Sequence, residues 1–291
     1  MLCLMAAVLL GPMVTRNAVG DAIVITRAMS ASTIAEIFIE DERVRVELEI
    51  GPQDLLAFQN LLPDELYNRL SLPQADQAER RKTFFRKDWK IEAVNGPPID
   101  GKVASLTVRK RIQRDEITGD PLPLQPEDAE LVVYAELEFP LSDKPASLSI
   151  QPPDGSATGT KSANIGFVTY HKGLPVSDFR YLSAKETLDL DWHDPWYSRF
   201  RNKNLRRQYD SPLNVFLYVE PFEVRKEIVL RPVDLQRWVD LGVEINSTIP
   251  IADQPDLKQK VVEFLQDKHP VTIDGKQVEG EFDRIHFISR S

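Results

Sequence analysis

Ionisable residues gather at the end of a predicted strand in the second half of the chain. Imidazole and carboxylate groups are suitable ligands for Zn or Mn, and four of them fall within six residues: Asp189, Asp191, His193 and Asp194. One hypothesis is therefore a metal-assisted hydrolase centred on Asp191 and His193. The alternative is a solvent-exposed strand end without chemical function. A two-residue period places Asp189 and Asp191 on one face, and the other histidines show no ligand spacing (His171, His269 and His286).

A segment rich in arginine and aromatic residues follows directly. Between Pro195 and Tyr209, five cationic residues interleave with four aromatic ones inside an acidic protein. Guanidinium groups bind carboxylates and phosphates, and aromatic faces stack on sugars, so an anionic glycan or a lipid head group is a candidate ligand. The candidate binding residues are Trp196, Arg199, Arg201, Arg206 and Arg207. The alternative is a connecting segment, 193–212, whose aromatic residues enter the core while its arginines pair with surplus acids.

An internal repeat indicates which elements must position these residues. Residues 37–58 align without a gap to residues 217–238, and seven of 22 positions are identical, against roughly one or two expected by chance. In the first copy, apolar residues at every second position from Val44 to Ile50 are typical of a strand with one buried face. Gly51-Pro52 ends that strand, and Asp54, like Asp234 in the second copy, falls where a carboxylate favours the start of a helix. The repeat predicts a hairpin followed by a helix.

The similarity continues beyond this unit. Polar helical stretches are expected at about 74–88 and 253–268. Each is followed by a short strand and a tight turn, at Asn95-Gly96 and at Asp274-Gly275, and then by another strand, at 103–112 and at 282–289. We therefore expect an α+β fold with two duplicated hairpin-helix-helix-hairpin lobes, at 33–115 and 213–291.

A β-rich insert is expected between the two lobes. Residues 129–191 contain several short apolar stretches separated by turn signals, which indicate an antiparallel sandwich or meander. A proline-rich stretch at 116–128 reads as a linker that leads into this insert.

Bulk composition excludes several classes of protein. A formal charge of −9 argues against a duplex nucleic-acid binder, which needs a basic surface. The only cysteine, Cys3, lies in the N-terminal apolar segment, so no disulfide and no thiolate site is expected in the rest of the chain. P-loop, dinucleotide-binding, nucleophile-elbow and zinc-protease motifs are missing from the sequence. We expect no cofactor.

The first twenty residues resemble a secretory signal peptide. An apolar run from Leu2 to Met13 is too short to span a bilayer, and Ala18-Val19-Gly20 provides small residues for cleavage. No lysine or arginine precedes the run, so a buried N-terminal helix is the alternative. No transmembrane segment is expected after residue 20.

The sequence favours an exported, non-enzymatic interaction or scaffold module, secreted or periplasmic in the cell envelope. Most of the chain carries core patterns, and the expected partner is another envelope protein or an anionic surface ligand. One hypothesis is that these residues are the soluble front part of a longer, membrane-anchored protein.

Overall fold

The alternating residues of the first repeat form the centre of the fold. The computed structural model describes residues 27–114, 122–123, 126–153, 162–245 and 247–287. Strands β1 (Thr33–Ile39) and β2 (Arg43–Ile50) form an antiparallel hairpin in which Thr33 lies opposite Ile50. Every second residue of β2 is buried, as its two-residue period predicts.

The other elements follow in chain order. The regular helices and strands are α1 (Asp64–Arg69), α2 (Gln77–Thr83), β3 (Lys90–Ala93), β4 (Lys102–Lys110), β5 (Leu131–Pro140), β6 (Ser147–Gln151), β7 (Ile165–His171), β8 (Leu174–Pro175), β9 (Arg180–Tyr181), β10 (Glu186–Asp189), β11 (Arg199–Phe200), β12 (Leu213–Val219), β13 (Val224–Leu230), α3 (Pro232–Leu235), α4 (Gln254–Lys268), β14 (Val271–Ile273) and β15 (Lys276–Val278). Short 3-10 turns lie at Arg27–Ser30, Pro52–Asp54, Gln59–Leu61, Pro195–Tyr197, Lys203–Leu205 and Ile251–Asp253, and a π-helical turn lies at Phe84–Asp88. The mixture of helices and hairpins confirms the α+β class.

The central hairpin lies inside a seven-stranded sheet. The strand order is β4-β5-β2-β1-β7-β8, and β9 also pairs with β7. All its pairings are antiparallel except that of β1 with β7, which are parallel, with Thr33 opposite Ile165. A second sheet has the order β11-β10-β6-β3. Apolar side chains from both sheets and from the helical segment between β2 and β3 meet in one core, which includes Phe58, Trp89 and Phe167.

The strands expected as a separate insert belong to these two sheets. β5 pairs with β2, β7 pairs with β1, and β6 pairs with β3. The expectation of an antiparallel unit set apart at 129–191 is therefore corrected. The physical reason is that both outer edges of the β1–β2 hairpin carry unpaired backbone groups, and strands of the 129–191 segment satisfy them.

The hairpin expected at the end of the first lobe is not formed. The turn at Asn95 is present, with φ of 63°, yet β3 pairs with β6 and β4 pairs with β5. Pro97 and Pro98 follow this turn and have no N–H to donate, so the return strand makes only a single bridge, between Glu92 and Pro98.

The strand expected at 282–289 also differs from the structure. A turn at Asp274-Gly275 joins β14 to β15. Residues 282–287 form no strand, and residues 288–289 lie outside the described part of the chain.

The second repeat forms a smaller assembly. β12 and β13 make a two-stranded sheet in which Leu213 lies opposite Leu230, and α3 follows β13 directly. On α4, Leu257, Val261 and Leu265 recur at the four-residue spacing of one helix face, and they pack with Leu235 in a second, smaller core.

Some expectations concern residues outside the described ranges. These are the signal peptide at 1–20 and most of the linker at 116–128. Within the described residues, no helix is long and apolar enough to cross a membrane.

Candidate binding surface

Asp189, the first candidate metal ligand, is engaged by neighbouring strands. It lies at the end of β10, and its carboxylate accepts hydrogen bonds from Arg201 Nε at 3.0 Å and from Ser147 Oγ at 2.7 Å. The hydrogen bond from Arg201 is the main cause that holds the pKa of Asp189 below its usual value. Arg201 Nη2 also donates to Asp189 at 2.9 Å and to Ser147 Oγ at 3.3 Å.

The other three candidates shape a turn. Asp191 Oδ1 accepts from the backbone N–H groups of His193 and Asp194, at 3.0 and 2.9 Å. Asp194 is buried, and its carboxylate accepts from Trp196 N at 3.2 Å and from Arg231 Nη2 at 2.9 Å. His193 is exposed. Within the described ranges no three His, Cys, Asp or Glu side chains are grouped as metal ligands would be, so the structure does not bring these four together around one point.

A buried histidine that the sequence did not single out lies beside this turn. His171 ends β7, is fully buried, and its Nδ1 is 2.7 Å from Ser198 Oγ, which also accepts from Asp191 N. The Trp192 ring packs edge-on against the imidazole, with centroids 4.5 Å apart. Burial, reinforced by the charge of Lys172, lowers the pKa of His171 to about 4.

The pairing of Ser198 with His171 has the elements of a nucleophile and its base. Both side chains are, however, 1% exposed or less, so a substrate has no access to the hydroxyl. Their contact joins β7 to the turn after β10. The two residues belong to different strands and turns, so no local motif signals their contact.

Most arginines of the arginine-rich segment donate hydrogen bonds to other groups of the protein. Arg206 Nε donates to the Phe200 carbonyl at 2.8 Å, and Arg207 Nη2 donates to the Trp196 carbonyl at 2.7 Å. The Arg207 guanidinium also lies 3.8 Å from the centroid of the Trp196 ring. Among the described residues, Arg199 is the arginine of this segment whose side chain makes no hydrogen bond or ion pair, although its charge helps to lower the pKa of Asp189.

A depression beside these arginines is small. It measures about 40 Å³ and is lined by Arg199, Arg206, Arg207 and Asp210, among others. Ligand pockets usually measure ~300–1,000 Å³. Within the described residues, the segment therefore offers the exposed cations Arg199 and Lys203 rather than a built site for a glycan or a head group.

The same segment holds the second repeat against the first sheet assembly. Arg231, which precedes α3, reaches Asp194 and lies 4.9 Å from the Trp196 ring centroid. Asp234 in the first turn of α3 is buried and accepts from the Tyr197 hydroxyl at 2.5 Å. In the first repeat, Asp54 is likewise buried and accepts from Thr33 Oγ1 at 2.7 Å. Both aspartates thus link a helix start to a neighbouring element.

The second hairpin exposes residues that its counterpart buries. Ile37 and Ile39 of β1 are 0% and 1% exposed, whereas Leu217 and Val219, at the same positions of β12, are 55% and 73% exposed. The pattern extends to the tip, where Phe222 is fully exposed. Exposed apolar residues also occur at Val215, Val229 and Trp238. This apolar surface was not predicted, because the alternation in both repeats indicates a buried face.

The difference follows from the neighbours of each hairpin. β1 and β2 are flanked by β7 and β5, and their apolar face packs on the second sheet and on Phe58, Phe84 and Trp89. β12 and β13 pair with no other described strand, and α4 covers only the part of their face near Ile228 and Leu230. Contiguous exposed apolar residues of this kind mark interaction surfaces.

Comparison with known proteins adds no assignment: no family model, curated protein or solved structure matches the chain.

Proposed function

We propose that the two hairpin-helix segments descend from one duplicated unit. What supports this is that their strand registers coincide after a shift of 180 positions: Thr33 faces Ile50, and Leu213 faces Leu230. In both, a proline opens the following turn and a buried aspartate lies two residues later. The helices that start at Gln77 and Gln254 follow an aspartate in each case.

We further propose that the protein is an exported, non-enzymatic interaction or scaffold module of the cell envelope. The observation that carries this proposal is the uncovered β12–β13 hairpin. Removing an apolar side chain such as that of Val219 from water is favourable by ~25 cal/mol per Å² of apolar surface buried. A duplicated unit that keeps these residues while exposing them gains that stabilisation when a partner covers them.

The candidate metal-binding and anion-binding groups support other roles less well. The carboxylates of Asp189 and Asp194 pair with Arg201 and Arg231, and their contacts hold strands and turns together. Arg199 and Lys203 are exposed cations of the connecting segment that an acidic partner would meet.

Photo-crosslinking in the producing cell tests the interaction module. A photoreactive residue placed at Leu217 or Phe222 is expected to give discrete adducts with an envelope protein. The control is the same photoreactive residue at Asp283, an exposed position that follows α4 in the sequence. It is expected to give no adducts. Absence of adducts at all three positions, or equal adducts at all three, would overturn the proposal.

A reporter fusion tests the export. Residues 1–20 fused to alkaline phosphatase, which is active only outside the cytoplasm, are expected to give activity in a bacterial host. An inactive, cytoplasmic fusion would remove this part of the proposal.

A further inference from the structure

The outer edge of β12 is open to strand addition. Apart from the Ser211 hydroxyl, which donates to the Leu213 carbonyl at 3.0 Å, no described residue outside the β12–β13 hairpin hydrogen-bonds to the backbone of β12. Edge strands that avoid pairing usually carry charged residues or proline. β12 (LNVFLYV) has neither, so nothing in it opposes the approach of another strand.

The first hairpin shows which kind of strand suits this edge. β1, the counterpart of β12, pairs in parallel with β7, whose seven residues (IGFVTYH) are nearly all buried. Parallel strands with both faces covered are continuous apolar runs rather than alternating ones. β7 carries no formal charge, since the depressed pKa of His171 keeps the imidazole neutral near pH 7.

Both faces of β12 fit a strand of the same chemistry. Val215, Leu217 and Val219 lie on the same face of the hairpin as Ile228 of β13. Phe216 and Tyr218 lie on the other face. β12 carries no charged residue, so a charge on an added strand would find no opposite charge on β12 to pair with. The edge therefore selects an uncharged occupant.

We propose that β12 binds a strand of another protein in parallel orientation, an inference that rests on the proposed function above. The bound strand has about five to seven consecutive residues that are uncharged and mostly apolar. Main-chain hydrogen bonds along the edge supply the affinity, and the side chains that flank Leu217 on either face supply the selectivity. The N-terminal end of the bound strand lies beside Leu213, as Ile165 lies beside Thr33.

A labelled peptide of residues 162–173, which contains β7, is the probe, and its binding to the 291-residue chain is followed by fluorescence anisotropy. The double variant Val215→Lys/Leu217→Lys is expected to weaken binding at least tenfold. Ile251→Lys, at an 84% exposed apolar position outside the hairpin, is the control and is expected to change binding less than twofold. A peptide with Phe167→Pro, which lacks a main-chain donor at its centre, is expected not to bind.

Disulfide trapping fixes the orientation. In a Cys3→Ser background, a peptide with an N-terminal cysteine is expected to crosslink to Ser211→Cys and not to Glu220→Cys. The reverse preference would mean antiparallel addition and would overturn the proposal.

Failure of the wild-type chain to bind the peptide would also overturn the proposal, as would equal binding by the Val215→Lys/Leu217→Lys variant. A dimer in sedimentation velocity that this double variant abolishes would make a second copy the occupant and would overturn it too. Photo-crosslinks at Leu217 combined with any of these results would leave the interaction module standing and remove only the parallel strand.

Discussion

The Tyr197 hydroxyl donates a hydrogen bond to the buried carboxylate of Asp234 across 2.5 Å. This contact joins the segment after β10 to the first turn of α3, in parallel with the ion pair between Arg231 and Asp194. Burial, followed by the hydrogen bond to Asp234, raises the pKa of Tyr197 to about 12. The second hairpin-helix unit is therefore anchored through its aspartate.

Tyr197→Phe is expected to loosen this anchor. The buried Asp234 carboxylate loses a donor, and a buried acceptor left without its partner costs about 1–3 kcal/mol. Hydrogen exchange of the α3 amides is expected to accelerate correspondingly. Tyr218→Phe is the matched control, because the Tyr218 hydroxyl donates to Glu227 at 3.1 Å on the exposed surface. Equal acceleration by both variants would contradict the anchoring role.

His171 is expected to make stability depend on pH below neutrality. Its pKa is about 4 in the folded protein and near 6.5 in the unfolded chain, so the unfolded chain binds the proton first as the pH falls. The contribution of His171 to the unfolding free energy is retained above pH 6.5 and is lost as the pH falls from 6.5 towards 4, by on the order of 3 kcal/mol.

Urea unfolding at several pH values measures this effect. His171→Gln removes the titrating imidazole and is expected to flatten the curve between pH 6.5 and 4. His193→Gln, at an exposed position, is the control and keeps the wild-type slope. Parallel curves for the wild type and His171→Gln would refute the assignment.

Truncation to alanine at equivalent positions is expected to lower the unfolding free energy in the first hairpin and to leave it nearly unchanged in the second. Ile37→Ala removes a fully buried side chain and is expected to cost about 2–5 kcal/mol. Leu217→Ala, at the same hairpin position, alters an exposed side chain and is expected to change the unfolding free energy by no more than about 0.5 kcal/mol. Chemical denaturation of the purified protein compares them, and a similar cost at both positions would mean that Leu217 is covered.

Gly166 of β7 is expected to tolerate no side chain. A Cβ atom there would lie 1.9 Å from the Ala28 carbonyl oxygen, which belongs to the backbone of the 3-10 turn Arg27–Ser30. Gly166→Ala is expected to cost about 3 kcal/mol, at the upper end for overpacked sites. Gly280→Ala, whose Cβ would meet nothing within 4 Å, is the control. Thermal unfolding that shows the same midpoint for both variants would contradict the close approach.

Short-range pattern predicted the two hairpins of the repeat, β1–β2 and β12–β13. Alternation from Val44 to Ile50 sets which residues of β2 are buried, and the same pattern places β13 opposite β12. The period of a strand is a local property, so it can be read from neighbouring residues.

Strand partners could not be predicted in this way. The apolar run of β7 indicates burial on both faces, but nothing in it names β1 as its neighbour. The contact of His171 with Ser198 depends on where β7 is placed, and the contact of Arg201 with Asp189 depends on the pairing of β10 with β11. The expected hairpin after Asn95 failed for a local reason, because two prolines interrupt the returning strand.

The parallel pairing of β1 with β7 has a consequence for biosynthesis. While the ribosome is still translating the residues between Ile39 and Ile165, one edge of the central hairpin has no neighbour. Pairings between such distant segments form slowly, and nascent chains with an open apolar edge are prone to aggregate. The amino-terminal half of this polypeptide must therefore remain incompletely folded until His171 has emerged.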